Sequence, residues 1–197
     1  MTEYEQKISR KMEQSLYCPV CSLVDDEEFE MLSMLQYDVT RQPDTREAVV
    51  NEGGFCEYHF RQFHKIATSK TNALLLRAMV EHFARPETQF VVNCRFCNHL
   101  DEYEGQLVKA IIHMLAENSF QVFYAEHRGM CKRHLRSAEA MVSDEATRGW
   151  LEEVHRSQML REIPFLEQLA TKSYYDTSRL ERGSVSRSIE KFVGRRG

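Results

Sequence analysis

Six cysteines and two histidines carry the chemistry this chain could do. A Cys-x-x-Cys knuckle, Cys18-Pro19-Val20-Cys21, is followed by Gly54-Phe55-Cys56-Glu57-Tyr58-His59. The pattern then returns as Cys94-Arg95-Phe96-Cys97 and Gly129-Met130-Cys131-Lys132-Arg133-His134, so every cysteine is used. Three thiols and one imidazole per copy are the ligand count and type of a structural Cys₃His zinc site. Two cysteines three apart aim both sulfurs at one ion from a tight turn, which Pro19 helps to shape. Cys56 and His59, and likewise Cys131 and His134, share one face of a helix start. There the helix dipole favours thiolate.

These ligand halves admit two pairings. Each knuckle can join the Cys-x-x-His of its own copy, or the two copies can exchange halves. Closing a loop of about 34 residues costs less chain entropy than closing a longer one, so closure within each copy is the expectation. Either way the metal is worth on the order of 10 to 16 kcal/mol at neutral pH, enough to decide folding. Two Zn²⁺ ions are therefore expected, with an iron–sulfur cluster on the same ligands as the alternative cofactor. Such clusters usually take four cysteines. Thioredoxin-like redox chemistry lacks its βαβ context, and Asn98 between Cys97 and His99 breaks the c-type haem motif.

A carboxylate recurs beside each knuckle. Placing the second copy on the first superposes Val24 on Leu100, Met31 on Leu107, Leu35 on Ile111 and Val39 on Leu115, and Glu28 falls on Glu104. Both glutamates thus interrupt an apolar face, where an ionised group needs a partner. Arg61 and Arg136, two residues past each histidine, are the expected ion-pair partners. A second reading makes each glutamate the acceptor for the ligand histidine's free N–H. A third unites them in a dinuclear helical-bundle metalloenzyme. That reading wants Glu-x-x-His pairs, of which Glu152 and His155 form one, on a polar helix.

The elements that position these residues read as helices throughout. Apolar spacing predicts helices over 2–15, 22–39, 44–51, 56–67, 71–83, 98–116, 119–126, 131–141 and 144–161, then 165–174 and a last amphipathic piece with Val185, Ile189 and Phe192. Ser69 and Ser143 are the expected caps. Pro43 suits a first helical turn and Pro164 breaks or kinks one. The 71–83 segment is the most apolar and is expected at the centre. Strand signals are confined to Phe90-Val91-Val92, within a linker over 86–93. The fold class is all-α: an internally duplicated helical repeat protein with two Cys₃His knuckles packed into one body. Its parts are a first repeat over 1–85, a second over 86–142, and 143–197 as C-terminal helices completing the core with a basic tail.

With 197 residues and 42% hydrophobic content the chain affords a substantial core. A formal charge of −4 gives no general attraction for nucleic acid. Nucleic acid could bind only through the tail over 179–197, where Arg179, Arg182, Arg187, Lys191, Arg195 and Arg196 read as a solvated basic end. No signal or membrane-spanning stretch appears, so a cytoplasmic location without membrane attachment is expected, and another protein is the expected partner. His64, His82, His113, His127 and His155 have no repeated counterpart and read as surface or boundary residues. No catalytic triad or phosphate-binding loop is present.

The duplicated Cys-Pro-x-Cys-x-Leu and Gly-Phe-Cys-x-x-His motifs, with a tail carrying Lys172, Tyr175, Ile189, Val193 and Gly194, resemble an uncharacterised family of bacterial and archaeal proteins. Its members are sometimes labelled as transporter substrate-binding proteins. The second copy departs from the pattern at Arg95-Phe96, which lacks the proline, and at Met130 in place of Phe55. The resemblance implies no established activity. The residues themselves point to a non-enzymatic zinc-binding or regulatory module. The alternatives are a redox or metal-handling protein using the same ligands, and a metalloenzyme using Glu28 and Glu104.

Overall fold

The computed structural model describes residues 1–85, 92–173 and 176–194. Residues 86–91 of the expected linker, with Phe90-Val91, and also Tyr175, Arg195 and Arg196 lie outside them. Among the described residues the chain forms eleven helices and no strand. They are α1 Glu3–Gln14, α2 Pro19–Arg41, α3 Pro43–Asn51, α4 Glu57–Ile66, α5 Ser69–Phe83, α6 Arg95–Met114, α7 Asn118–Glu126, α8 Lys132–Met141, α9 Glu145–Leu160, α10 Ile163–Thr171 and α11 Arg179–Val193. The all-α class follows from the sequence periodicity.

Local chemistry sets the helix starts. Thr2 and Glu5 form a reciprocal capping box on α1, as do Ser178 and Glu181 on α11. Two caps fall one residue from expectation: Thr68, not Ser69, accepts the Thr71 N–H at the head of α5, and Asp144, not Ser143, accepts the Thr147 N–H at the head of α9. Pro43 and Pro164 both occupy first turns, where a missing N–H costs nothing. The expected break falls here, with α9 ending at Leu160 and Pro164 in the first turn of α10.

The chain divides into two compact units, Met1–Val24 with Glu104–Gly197, and Asp25–Tyr103. The boundaries fall within α2 and α6. In the first unit, Ile8, Met12, Leu107, Ile111, Tyr124, Met130 and Leu151 are buried in the core, and α8 packs on α9 and α11, with α10 on α11. In the second, α3 packs on α5, and Leu32, Leu35, Val39, Phe55, Phe63, Leu75 and Phe96 are buried. The expectation that α5, as the most apolar segment, lies at the centre is corrected. Of its apolar side chains only Leu75 is sealed inside, beside the polar Thr71 and Asn72, while Leu76 and Val80 are 44% and 66% exposed.

The last helix corrects the picture of a solvated basic end. In α11 the polar side faces inward: Glu181, Ser184, Arg187, Glu190 and Lys191 are buried, whereas Val185, Ile189 and Phe192 lie largely exposed. Burial is tolerated because each charge has a partner. Arg187 donates to Glu162, which also pairs with Arg128, and Lys191 donates to the Met130 carbonyl and to Gln158 Oε1, at 3.0 Å each. Two of the six tail cations are thus spent inside the molecule.

Candidate metal centres

Among the described residues, two groups gather enough thiol and imidazole to hold a metal ion: Cys18, Cys21, Cys131 and His134, and Cys56, His59, Cys94 and Cys97. Within each group the donor atoms all lie within 4.8 Å of one another. The pairing corrects the expectation of closure within each copy. The first knuckle joins the second Cys-x-x-His, and the second knuckle joins the first. The first group belongs wholly to one compact unit and the second wholly to the other.

Each group is assembled from two helix N-termini. Cys56 and Cys131 are the N-caps of α4 and α8, and His59 and His134 stand three residues on, in the first turn. Cys18 and Cys94 precede α2 and α6, and their carbonyls accept the first helical bonds, from Ser22 at 3.0 Å and Asn98 at 3.2 Å. Cys21 and Cys97 lie in those helices' first turns. All four ligands of each group therefore stand at the positive end of a helix dipole, where thiolate is favoured.

The distances are regular. His134 presents Nδ1 to Cys131, Cys18 and Cys21 at 3.2, 3.4 and 3.5 Å. His59 presents Nδ1 to Cys56, Cys94 and Cys97 at 3.2, 3.4 and 3.4 Å. The sulfurs of Cys21 and Cys131 are 3.8 Å apart, those of Cys56 and Cys97 3.6 Å.

Both glutamates stand behind the rings of these histidines. Glu104 Oε1 lies 3.2 Å from His134 Nε2, and Glu28 Oε1 lies 3.4 Å from His59 Nε2. A carboxylate behind the ring keeps a proton on Nε2 and leaves Nδ1 free to face the sulfurs. Arg61 and Arg136 are not the partners: Arg61 is exposed and pairs with Glu57, and Arg136 is exposed. The residues that do reach the carboxylates precede each histidine by one. Arg133 donates to both Glu104 oxygens at 2.7 Å, and the Tyr58 hydroxyl donates to Glu28 at 3.4 Å. Their shared place in Gly-x-Cys-x-Tyr/Arg-His was the available signal. Glu28 and Glu104 also follow Cys21 and Cys97 by seven residues, two turns on along one helix face. So α2 gives its cysteines to one group and its glutamate to the other, and α6 does the reverse.

Glycine permits the approach loops. Gly54 and Gly129, each two residues before a cysteine N-cap, have φ of +84° and +57°. A Cβ at Gly54 would meet Met79 Cε at 2.7 Å, and one at Gly129 would meet the Gln158 amide at 2.5 Å. That amide donates to the Tyr124 and His127 carbonyls at 3.0 and 2.9 Å, while the Tyr124 hydroxyl accepts the Met130 N–H at 2.9 Å, fixing the loop that carries Cys131.

The electrostatics suit a cation held by thiolates. Burial pushes the Cys18 thiol up, and its cysteine neighbours add to this, whereas hydrogen bonds from Cys18 and Cys21 pull Cys131 well down. Burial draws His134 toward neutrality, but the hydrogen bonds its ring N–H groups donate to Cys131, Cys21 and Glu104 outweigh it and raise its pKa to about 11. In the other group burial raises Cys97 to about 12. Burial likewise works against the Cys94 thiolate, yet the N–H groups of Cys56 and Cys97 bring it below the ordinary thiol value. Cys18, Cys21, Cys131 and His134, and likewise Cys56, His59, Cys94 and Cys97, would hold a divalent cation in place of these shared protons. Lys191, brought down to about 8 by burial, keeps a cation near Cys18 and Cys131.

The remaining sequence candidates fall elsewhere. His155, expected near the surface, is buried, while Glu152 beside it is exposed, so the Glu-x-x-His pair does not converge on a site. His113 bonds Glu5 at 2.9 Å. No helix among the described residues is long and apolar enough to cross a membrane.

A family model described as a family of unknown function (DUF6062) matches residues 3–91. The matched stretch contains Cys18, Cys21, Cys56 and His59, half of each group, and each group is completed by residues beyond it. No curated protein and no solved structure matches the chain significantly.

Proposed function

We propose that each group holds one Zn²⁺ and that the chain is a non-enzymatic, two-zinc helical module for binding or regulation. The observation that carries this is the spacing of the donors. Zinc–sulfur bonds of about 2.3 Å and zinc–nitrogen bonds of about 2.0–2.1 Å in a tetrahedron require S···S near ~3.8 Å and S···N near ~3.6 Å. One sulfur pair in each group stands 3.8 or 3.6 Å apart, all donors of a group lie within 4.8 Å, and the Nδ1 to sulfur distances run from 3.2 to 3.5 Å. An iron–sulfur cluster places several atoms between its thiolates and spreads them wider than one shared ion does.

The protein fills all four positions of each tetrahedron, which suits a structural ion and leaves no place for an activated water. Each ion would fasten two helix starts that are distant in sequence. The thiolates, imidazole and outer carboxylate are what this chain supplies: ligation and orientation of the ring. Metal analysis and an absorption spectrum of anaerobically purified protein test the proposal. Two zinc per chain and no visible colour are expected; a brown, iron- and sulfide-containing protein would overturn it.

A further inference from the structure

The two groups have the same ligands but not the same access. In the first, Cys18, Cys21, Cys131 and His134 are all at most 6% exposed. The C-terminal helix closes over it: Glu190 accepts the Cys18 N–H at 3.3 Å, and Lys191 is anchored on the Met130 carbonyl. Gly194 comes so near that a Cβ there would stand 3.4 Å from Cys131 Sγ. The adjoining cavity is small, about 210 Å³, and ringed by Arg128, Glu162, Arg187, Glu190 and Lys191, which are bound to one another or to backbone.

The second group is open. His59 and Cys94 are buried, but Cys56 and Cys97 are only half-buried. Both line a wide groove of about 1200 Å³, with Phe60, Arg61, Val92 and Asn98 on its walls. Among the described residues none closes it as α11 closes the first group. Thiolate reactivity follows access as much as ligand type, and the shell around a metal controls what reaches it.

We propose that the Cys56, His59, Cys94 and Cys97 group is an exchangeable soft-metal site, loaded and unloaded through this groove, while the Cys18, Cys21, Cys131 and His134 group keeps its ion. The exchanging species is a thiolate or a comparable soft-donor chelator. Its donor binds the ion from the groove side, the Cys56 or Cys97 thiolate leaves and takes a proton from water, and repetition carries the ion away. No electron changes hands, and the ion remains divalent. The proposal rests on one ion being bound by each group.

The test uses full-length protein carrying two zinc ions, challenged with excess 4-(2-pyridylazo)resorcinol at neutral pH while the coloured zinc complex is followed. One equivalent is expected to leave at least tenfold faster than the other. Iodoacetamide added during the fast phase, followed by peptide mass mapping, assigns that equivalent in the unaltered chain. Cys56 and Cys97 should be alkylated while Cys18, Cys21 and Cys131 remain protected. Release of both ions in one phase, or earlier alkylation at Cys131, overturns the proposal and leaves the two-zinc reading standing. Fewer than two ions in the starting protein overturns both.

Discussion

Replacing Cys131 by serine distinguishes the exchanged pairing from closure within each copy. Chain entropy separates the two weakly. The observed group joins Cys21 to Cys131, 110 residues on, where closure within the copy would join Cys21 to Cys56, 35 residues on. Since the closure cost grows with the logarithm of loop length, the longer connection costs only about 1 kcal/mol more. A structural ion contributes on the order of 10 to 16 kcal/mol, so packing easily overrides that difference. Divided over four ligands, Cys131→Ser should forfeit about 3 kcal/mol of binding, roughly a hundredfold in affinity. The variant should then purify with one zinc in place of two, measured by plasma emission. Alkylation with peptide mapping should find Cys18 and Cys21 newly reactive and Cys94 unchanged. If Cys94 becomes reactive while Cys18 and Cys21 stay protected, the exchanged pairing is wrong.

Three further outcomes follow from the same geometry. Glu28→Gln and Glu104→Gln should each weaken zinc binding about 10- to 100-fold in chelator competition, whereas Arg61→Ala and Arg136→Ala, both at exposed positions, should leave affinity unchanged. Arg187→Ala removes one of the two cations that pair with buried Glu162, leaving Arg128, and should cost about 1–3 kcal/mol in urea unfolding; Arg61→Ala should stay within about 0.5 kcal/mol. Burial, with Lys191 adding to it, lowers His155 from 6.5 to about 4. The unfolded chain therefore binds the extra proton first as pH falls, and the stability present above pH 6.5 drains away towards pH 4. His155→Phe should flatten that part of the profile relative to the unaltered protein, and equal slopes in the two proteins would sink the assignment.

The contrast between α2 and α11 shows where one-dimensional patterns suffice. Val24, Leu35 and Val39 repeat at helical spacing, and all three are buried in α2. In α11 the same rule points the wrong way, because Val185, Ile189 and Phe192 face outward while Arg187 and Lys191 are drawn inward by Glu162 and by the Met130 and Arg128 carbonyls. Those acceptors are 25 to 63 residues away in sequence. Nothing in the local pattern announces them.

The sequence alone determined the all-α class, the helix positions to within a few residues, the eight donor side chains and the two carboxylates set among apolar neighbours. These are consequences of period, capping chemistry and ligand type, all of which act over a few residues. Tertiary structure alone decided which knuckle meets which histidine, that Tyr58 and Arg133 instead of Arg61 and Arg136 reach the glutamates, and that one thiolate group is sealed while the other faces a groove. Such choices turn on packing between distant segments, where chain entropy differs by only about 1 kcal/mol and gives the linear sequence too little leverage to reveal them.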